Sequence, residues 1–541
     1  MSVICGRSVV ATLHGIVAAS QPLAAQAGVQ ILERGGHAVD AAIAANAVLG
    51  LTEPHMNGLG GDLFALVYDA SADTLFGLNA SGPAPGGLSA EWLRRRGWTA
   101  MPGDGIHSVT VPGAVAGWTS LHARFGRIPF RDTLAPAEYY AEHGFPVSDV
   151  IAAAWHDLTG TLLLHAEAAR TYLPGGRAPR AGEVFRNPAL ARSLRIVAEQ
   201  GADGFYRGPI ADAILACSRS QGGTLSADDL TGFEAEWVTP VSTSYRGWTV
   251  YELPPNTQGI AALMMLGLME QFPLRDFGLH SVNALHVMIE AKKLAYADML
   301  RWVADPRAAP APVGALLDGS RARARAALID PSRAAGRVDP AELDGLTNRP
   351  GGDTVYLSVV DRHGNMVSLI QSIFSGFGSG LVPSGVGFAL HNRGALFTLA
   401  PDHPNMLAPG KRPLHTIIPG FMRRGSDRIG FGIMGGFNQA QAHAQFVAHV
   451  ADFDLDIQQA LEAGRFTKPT FDGTDVCVEA TVPEPAREGL SARGHDVRVV
   501  PARSGVFGWG QAVRALSNGV HLGASEPRHD GAAIPEAAPC F

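Results

Sequence analysis

The pattern of the chain changes abruptly at residue 354, and this change constrains the fold more than any other feature. Before it, the spacing of apolar residues favours amphipathic helices, most clearly over 114–125, 187–199 and 282–302. From Thr354 onward, β-branched and apolar runs typical of strands become frequent. We therefore expect a helix-rich part, residues 1–353, followed by a strand-rich part, residues 354–541.

The segment that joins the two parts has a composition of its own. Residues 303–353 are rich in Ala, Arg, Pro and Gly and end in a Gly-Gly-Asp run directly before Thr354. Such a composition predicts an exposed, flexible connection.

Near the start of the chain, two Ala-rich segments, 21–32 and 38–51, are separated by Gly-Gly. This pattern predicts a helical hairpin, with Ser20 as the N-cap and Pro22 in the first turn. A polar, Gly-rich loop, 53–62, follows and leads into a strand-like run.

After the connection, the strand-like runs 354–360 and 366–372 flank a turn sequence, 361–365. A hairpin centred on this turn would pair Thr354 with Ser372. The two hydroxyl groups would then lie within hydrogen-bond reach of each other.

Composition and charge exclude several classes of protein. The 541 residues allow roughly two or three domains or one large α/β unit. Lys and Arg number 43 against 50 Asp and Glu, a net charge of −7, so we expect no nucleic-acid partner. Apolar runs fall short of the ~20 residues that a membrane span needs, so we expect no membrane partner.

The cysteines and the N-terminus bear on the compartment. Cys5, Cys217, Cys477 and Cys540 are far apart and form no C-x-x-C motif, which argues against a disulfide framework and a thiolate zinc site. His14 interrupts the first apolar stretch before it reaches the length of a signal-peptide core. These features predict a cytoplasmic protein.

A threonine at the start of a strand, such as Thr354, is usually only a β-branched strand residue. The flexible Gly-Gly-Asp before it suggests a second interpretation. A threonine hydroxyl is a weak nucleophile unless a base activates it, and a free α-amine on the same residue can be that base. Cleavage before Thr354 would create this amine.

A second Gly-rich stretch contains a formal G-x-G-x-x-G motif at Gly430, Gly432 and Gly435. A dinucleotide site would require a βαβ unit with an acidic residue at the end of a second strand, and residues 452–454 show no convincing strand pattern. Alternatively, Gly435 and Gly436 expose backbone N–H groups at a helix N-terminus, where they can hold a developing oxyanion.

Arg393 lies in a Gly-rich, apolar region, where its planar guanidinium would suit a substrate carboxylate. An alternative of equal weight is that Arg393 forms a structural ion pair with an acidic residue of the protein. His55, His391 and His415 are too scattered for a metal motif, so the sequence predicts neither a metal nor a cofactor.

Taken together, several segments closely resemble the γ-glutamyltranspeptidase family in order and spacing. They are the run 352–365 around Thr354, and the segments 35–42, 377–380, 409–413, 435–436 and 524–528.

This resemblance implies an N-terminal-nucleophile hydrolase with an αββα sandwich, two stacked and mainly antiparallel sheets flanked by helices. It also implies a precursor that cuts itself between Asp353 and Thr354. The large chain, 1–353, and the small chain, 354–541, would stay associated, and two such pairs would form a homodimer.

By the same resemblance, Thr354 attacks an amide carbonyl and its own α-amine takes the proton. Ser372 occupies the position of a threonine hydroxyl that supports this amine in the family. Gly435 and Gly436 match the pair whose N–H groups form the oxyanion hole.

The glutamyl pocket of the family is altered here. An arginine that holds the α-carboxylate is replaced by the run from Asn79, an asparagine by Phe374, a glutamine by Arg393, an aspartate by Leu396 and a Ser-Ser pair by His415 and Thr416. Each lost charged hydrogen bond costs about 1.5–3 kcal/mol of binding. We therefore expect no efficient γ-glutamyl transfer, and we expect water rather than an amino acid as the acceptor.

The segments 54–62 and 371–374 are similar to a divergent branch of the family that includes oxamate amidohydrolase and cephalosporin-acylase-like members. In this branch Arg393 would receive a carboxylate on the acyl side of a small-molecule amide. Three alternatives stay open: a true γ-glutamyltransferase or glutathione hydrolase, a dinucleotide-binding oxidoreductase, and a catalytically dead binding protein.

Overall fold

A computed structural model describes residues 6–339 and 353–538 of the chain, with the side chain of Asp353 left out. Cys5, Cys540 and part of the predicted connection therefore lie outside the described residues. The described Cys217 and Cys477 are free thiols. No helix in these two ranges has the length and apolar character needed to cross a membrane.

The strands of the described residues fall into two large and two small sheets. They are β1 Val10–Thr12, β2 Ile16–Ala19, β3 Asp62–Asp69, β4 Thr74–Ala80, β5 Phe145–Pro146, β6 Val184–Phe185, β7 Glu236–Val238, β8 Val241–Tyr245, β9 Trp248–Glu252, β10 Asp353–Val360, β11 Met366–Phe374, β12 Gly420–Arg424, β13 Asp427–Ile433, β14 Phe466–Thr467, β15 Asp475–Glu479, β16 Asp496–Val500, β17 Gly510–Ala515, β18 His521–Ser525 and β19 Ala532–Pro535.

The helices are more numerous in the first part of the chain. They are α1 Pro22–Glu33, α2 Ala38–Thr52, α3 Ala90–Arg94, α4 Ala114–Phe125, α5 Phe130–His143, α6 Asp149–Asp157, α7 Thr159–Leu163, α8 Ala166–Tyr172, α9 Pro188–Gln200, α10 Ala202–Tyr206, α11 Pro209–Ser220, α12 Ala227–Thr231, α13 Gly259–Met269, α14 Leu274–Phe277, α15 Val282–Trp302, α16 Val313–Leu316, α17 Gly319–Ala326, α18 Asn438–Ala451, α19 Ile457–Glu462 and α20 Glu484–Ala492.

Two seven-stranded sheets form the centre of the molecule. Their strand orders are β1-β18-β17-β13-β12-β9-β8 and β19-β2-β10-β11-β3-β4-β7. Neighbouring strands within both sheets are antiparallel. Each sheet therefore has two faces that must be covered by other apolar surface.

Three buried clusters show what covers those faces. Tyr356 and Ile370 of one sheet and Phe421 and Val513 of the other share a cluster between the sheets. A second cluster joins the outer face of the β10 sheet to α1, α2, α4 and α5, and a third joins the outer face of the β13 sheet to α13, α15 and α18. The layers are helix, sheet, sheet and helix, which confirms the predicted αββα sandwich.

The predicted helical hairpin is present as α1 and α2, but its N-cap is not Ser20. The side chain of Gln21 accepts the hydrogen bond from the Leu23 N–H. Ser20 instead donates its hydroxyl to Glu53, 2.6 Å away, so the expectation for Ser20 was wrong. A buried carboxylate with few other partners competes for the hydroxyl, and this contact is long-range and invisible in local sequence.

The connection predicted over 303–353 is more ordered than its composition suggests. It contains α16 and α17, and Leu316 and Ala326 are buried in the core around α13 and α15. Arg321 and Arg325 lie 3.2 and 3.1 Å from the carboxylate of the buried Asp298. These contacts explain why an Arg-rich and Ala-rich segment packs as helix; residues 340–352 lie outside the described part.

The predicted β-hairpin is present as β10 and β11. Val355 pairs with Gln371 and Val360 with Met366, in the expected register. The register shifts between Asp353 and Val355, so that a bulge falls at Thr354. A bulge bends the strand locally and re-aims a side chain, and nothing in the local sequence announced it.

The Gly-rich stretch of the dinucleotide alternative is an antiparallel strand. Gly430 and Gly432 lie in β13, whose neighbours β12 and β17 both run antiparallel to it. A Cβ at Gly432 would lie 2.4 Å from the ring of Tyr356. These glycines therefore allow the two sheets to approach, and the βαβ unit that a dinucleotide site requires is not formed here.

Candidate active site

Thr354 begins the hairpin and is almost completely buried, with 1% of its surface exposed. Its hydroxyl donates to the Ser372 hydroxyl at 3.3 Å, as the hairpin register predicted. The Ser372 oxygen also accepts from the Phe374 N–H at 2.8 Å. Two hydroxyl groups and the end of β11 are thereby fixed around one point, where the neighbouring strands β10 and β11 begin and end.

The Gly435-Gly436 pair connects β13 to α18 and has positive φ angles of 128° and 58°. Both conformations are much easier for glycine than for other residues. The carbonyls of the pair accept from Asn438 and Gln439, whereas neither glycine N–H donates to any described residue. The turn therefore leaves two N–H groups available at a helix N-terminus, which suits an anion.

The contacts between the two sheets relate this turn to Thr354. The Ser358 hydroxyl donates to the Gly430 carbonyl at 3.2 Å, and the Tyr356 ring lies against Gly432. Two residues back along β10 thus correspond to two residues forward along β13. The end of β13, and the Gly435-Gly436 turn that follows it, therefore lie toward the Thr354 end of β10.

Arg393 is fully buried in a short 3₁₀ helix, Arg393–Leu396. Its Nη1 donates to the Thr416 hydroxyl at 2.7 Å, and its guanidinium lies 4.5 Å from the centre of the Phe374 ring. Nε and Nη2 have no hydrogen-bond partner among the described residues. These two nitrogens form the edge of a guanidinium that binds a carboxylate through both oxygens.

Phe374 connects the Arg393 pocket to the Thr354 hydroxyl. Its ring faces the guanidinium, while its backbone N–H binds Ser372. Its φ angle of 79° lies in the left-handed region, which costs a non-glycine residue energy. Such strain persists where surrounding contacts fix the backbone, and it is common at functional sites.

A buried carboxylate that the sequence analysis did not single out lies beside Arg393. Asp62 accepts from His415 Nε2 at 3.1 Å and from the Gly82 N–H at 3.2 Å. Burial raises the pKa of Asp62 to about 7, although the charge of Arg393 opposes the shift. Burial also lowers the pKa of Arg393 to about 9, against the attraction of Asp62.

The two histidines of this pocket, His391 and His415, are neutral and hydrogen-bond to neighbouring polar groups. His391 accepts from the Arg393 N–H at its Nδ1, 3.3 Å away, and its Nε2 contacts the Thr110 carbonyl at 3.0 Å. Burial lowers the pKa of His391 to about 3 and that of His415 well below its usual value. The charge that opposes Asp62 therefore comes from Arg393 rather than from either imidazole.

Asn79 lies next to this pocket, but its side-chain amide is hydrogen-bonded to other protein groups. Its Nδ2 donates to Asn256 at 2.9 Å, and its Oδ1 accepts from the Ser81 N–H and hydroxyl at 3.0 and 2.7 Å. Asn256 in turn donates to the Pro413 carbonyl at 2.7 Å. Of the predicted pocket residues, Phe374, Arg393, His415 and Thr416 thus meet at one place, with Asn79 at its border.

The Gly-rich loop before β3 shapes the floor of the site. A Cβ at Gly61 would lie 2.6 Å from the Ser372 carbonyl oxygen, and one at Gly60 would lie 2.2 Å from the Ala389 carbonyl oxygen. The loop can approach both backbones only because these positions lack side chains. The sequence showed the glycines but not what they pack against.

One group of side chains elsewhere has the composition of a metal site: His286, Glu290 and His495. Within the described residues, however, the ligand atoms have protein partners. His286 Nδ1 contacts His495 Nε2 at 2.8 Å, and Lys293 Nζ donates to Glu290 at 2.7 Å. An ammonium group on the only carboxylate fits a buried polar network better than a cation site, and we assign no metal to it.

Comparison with known proteins gives a consistent result. A family model described as gamma-glutamyltranspeptidase matches residues 24–536. The glutathione hydrolase-like YwrD proenzyme of Bacillus subtilis is 34% identical over 98% of this chain and 99% of its own length. The oxamate amidohydrolase proenzyme of Klebsiella pneumoniae is also 34% identical, over 96% of this chain and 98% of its own.

Among solved structures, the cephalosporin acylase from Bacillus halodurans superposes with a TM-score of 0.91. It is 42% identical in sequence, and the match covers 98% of this chain and 97% of that one. The similarity therefore extends over both parts of the chain.

Proposed function

The chain belongs to the γ-glutamyltranspeptidase family and is an N-terminal-nucleophile amidohydrolase, and we propose that Thr354 is its nucleophile. We also propose that the precursor is cut between Asp353 and Thr354. The proenzyme names of the relatives support a cut, and the position of Thr354 at the start of β10, beside Ser372, supports this bond as its site.

In the proposed reaction, the Thr354 hydroxyl attacks the carbonyl of a small-molecule amide. The α-amine created by the cut takes the hydroxyl proton and passes it to the departing amine. The N–H groups of Gly435 and Gly436 stabilise the oxyanion, since preorganised donors of this kind are worth several kcal/mol in a buried site. Water then hydrolyses the ester on Thr354 and regenerates the hydroxyl.

We further propose that the acyl group of the substrate carries a second carboxylate. The observation that supports this is the fully buried Arg393, whose Nε and Nη2 have no described partner. An unpaired buried charge is costly, and a bidentate carboxylate would offset that cost. Phe374 contacts Arg393 through its ring and the Ser372 hydroxyl through its backbone N–H. Only this one residue bridges the two groups, which favours a short acyl group.

The substrate class that follows is the mono-amide of a short dicarboxylic or oxo acid. The name of an oxamate amidohydrolase among the relatives agrees with this class, and the acylase names agree with cleavage of an amide. A γ-glutamyl amide is the second candidate, favoured by the glutathione hydrolase-like relative. It is the weaker candidate, because Leu396 stands where the family resemblance implies an aspartate for the α-amino group.

A substrate panel with one variant tests the proposal. We expect oxalyl and glutaryl mono-amides, each with one free carboxylate, to be hydrolysed with a higher kcat/KM than a neutral butyryl amide of the same amine. Arg393→Leu should lower kcat/KM for the anionic amides by about 10- to 100-fold, equivalent to a charged hydrogen bond of ~1.5–3 kcal/mol. The kcat/KM of Arg393→Leu for the neutral amide should stay close to that of the wild type.

The matched control is Arg423→Leu, which removes a half-exposed arginine whose ion pair with Asp73 lies on the surface. Its kcat/KM for every amide of the panel should equal that of the wild type. Equal losses for anionic and neutral amides in Arg393→Leu would refute the carboxylate subsite.

A further inference from the structure

This inference rests on the proposed function, because it concerns the cut before Thr354. In the mature enzyme the α-amine of Thr354 can accept the hydroxyl proton. In the precursor the same nitrogen is part of the Asp353–Thr354 amide, whose lone pair is delocalised. Another group must therefore take the proton during the first reaction of the chain.

Glu53, at the end of α2, is a buried carboxylic acid that the proposed hydrolysis does not use. It has no exposed surface. Its Oε1 accepts from the Ser20 hydroxyl at 2.6 Å, and its Oε2 has no hydrogen-bond partner among the described residues. A buried carboxylate oxygen without a partner is uncommon and calls for an explanation.

The register of β2 locates one side of this group. Leu357 pairs with Ala19 and Ser358 with Ala18, so Ser20 follows at the level of Tyr356. Ala18 lies on the same face of the sheet as its partner Ser358, and Ser20 follows two residues later, directly after the end of β2. Ser20, and the carboxylate bonded to it, therefore lie beside the start of β10.

The loop after Glu53 locates the other side. The Met56 carbonyl accepts from the Ile373 N–H at 3.0 Å, and the His55 carbonyl accepts from the Phe377 N–H at 2.9 Å. Both donors belong to the end of β11 or the residues just after it.

In the sheet, β10 lies between β2 and β11. A segment bonded to the end of β2 and to the end of β11 must cross over the end of the strand between them. That end is Asp353–Thr354, the bond proposed to be cut. Glu53 begins this crossing segment and therefore lies near the Asp353–Thr354 bond.

The charged surroundings of Glu53 favour a basic carboxylate. Burial raises the pKa of Glu53, opposed by His529 and the Ser20 hydrogen bond and aided by Asp530. His529 is bound to the Ser20 carbonyl through Nδ1 at 2.9 Å. Burial lowers the pKa of His55 to about 3, so this neighbour is neutral.

We propose that Glu53 is the general base of self-cleavage, acting on Thr354 directly or through the Ser20 hydroxyl. The Thr354 hydroxyl proton passes to the carboxylate as the oxygen attacks the Asp353 carbonyl carbon. The C–N bond then breaks, and the carboxylic acid returns the proton to the nitrogen, which becomes the α-amine. Water hydrolyses the remaining ester, giving the Asp353 carboxylate and the free Thr354 hydroxyl.

The test follows self-cleavage of the full chain by intact mass under denaturing conditions, from a cold, rapid purification onward. Glu53→Gln keeps the shape and the Ser20 hydrogen bond but removes the base. We expect it to be cut at least about 100-fold more slowly, within the range that general bases contribute. The fraction that is cut should hydrolyse amides with the wild-type kcat, because the mature enzyme uses its α-amine.

The matched control is Glu252→Gln, another fully buried carboxylate, bound to His443 at 2.7 Å in the opposite sheet. Its rate of self-cleavage should remain close to that of the wild type. A Glu53→Gln chain cut within about threefold of the wild-type rate would overturn the role of Glu53. A wild-type chain that is never cut would instead overturn the proposed function itself.

The pH dependence of the wild type tests the same role without a variant. A general base acts when deprotonated, so the rate of self-cleavage should rise with pH through the raised pKa of Glu53. Glu53→Gln should lose this rise. A wild-type rate that is constant between roughly pH 4 and pH 8 would contradict the proposal.

Discussion

Arg393 and Asp62 are two buried groups of opposite charge that lie in one pocket without forming an ion pair. Asp62 is bonded to His415 and Gly82, and Arg393 is bonded to Thr416. Burial shifts the pKa of each group toward its neutral form, and the attraction between the two charges only partly opposes these shifts. The pocket therefore changes its net charge near neutral pH, which bears directly on how it would bind an anion.

Asp62 gives this pocket a pH dependence with a definite sign. Below about pH 7 Asp62 is protonated and the charge of Arg393 is unopposed; above it, the carboxylate offsets that charge. We expect the KM of an anionic amide to rise about three- to tenfold as pH rises through this range. Asp62→Asn should abolish the rise. Steady-state kinetics from roughly pH 6 to pH 8 check this, with a neutral amide as the control.

A KM for the anionic amide that is flat with pH in the wild type would contradict this account of Asp62. The same raised pKa also affects folding. Since the folded protein holds the Asp62 proton more tightly than the unfolded chain, stability falls as pH rises from 3.8, the ordinary pKa of an aspartate, to about 7.

At this scale the sequence revealed residue types but not their neighbours. Arg393, Phe374, His415 and Thr416 could be picked out by comparison with a family pattern, and the structure brings them together. In the sequence Asp62 is only the last residue of a glycine-rich loop, and nothing nearby marks it as part of a pocket. Glu53 carries no local signal either, because its partner, Ser20, lies across a helical hairpin.

At the scale of elements, the sequence predicted those strands and helices whose formation depends mainly on residues close to one another in the chain. The hairpin of β10 and β11 follows from its turn residues and alternation, and the helices α4 and α15 follow from their apolar spacing. The bulge at Thr354 and the helices α16 and α17 depend on contacts with distant segments. Sequence periodicity carries no information about such contacts.

The loop before β3 gives a test at the element scale. Gly61→Ala would place a methyl group 2.6 Å from the Ser372 carbonyl oxygen, so the end of β11 must shift. We expect a loss of about 1–3 kcal/mol in the free energy of unfolding and slower self-cleavage. Thermal melts and intact mass measure the two effects.

Gly314→Ala is the control, since a Cβ there meets nothing within 4 Å and the residue lies in α16. Its stability should stay within about 0.5 kcal/mol of the wild type. A Gly61→Ala protein as stable as this control would show that the loop is less tightly packed than the structure indicates.

At the scale of the whole molecule, the two proposed chains are interleaved rather than adjacent. In one sheet, β10 and β11 of the small chain lie between β2 and β3 of the large chain. In the other, β12 of the small chain pairs with β9 of the large chain. Separating the chains would break both sheets and expose the core between them.

We therefore expect the two chains to remain together after the cut. They should co-elute in gel filtration without denaturant and separate only under conditions that unfold the protein. Chains that part in native buffer at micromolar concentration would contradict the interleaved arrangement. The same experiment reports whether two such pairs associate, as the family resemblance implies.

The central claim is that Thr354 is created as an N-terminal nucleophile by self-cleavage. Intact mass under denaturing conditions, on the wild type and on Thr354→Ala, tests it most directly. The account predicts two wild-type fragments that meet at Asp353 and Thr354, and a single uncut Thr354→Ala chain without amidase activity. A Thr354→Ala protein that is cut and active, or a wild type that hydrolyses amides while uncut, would contradict it.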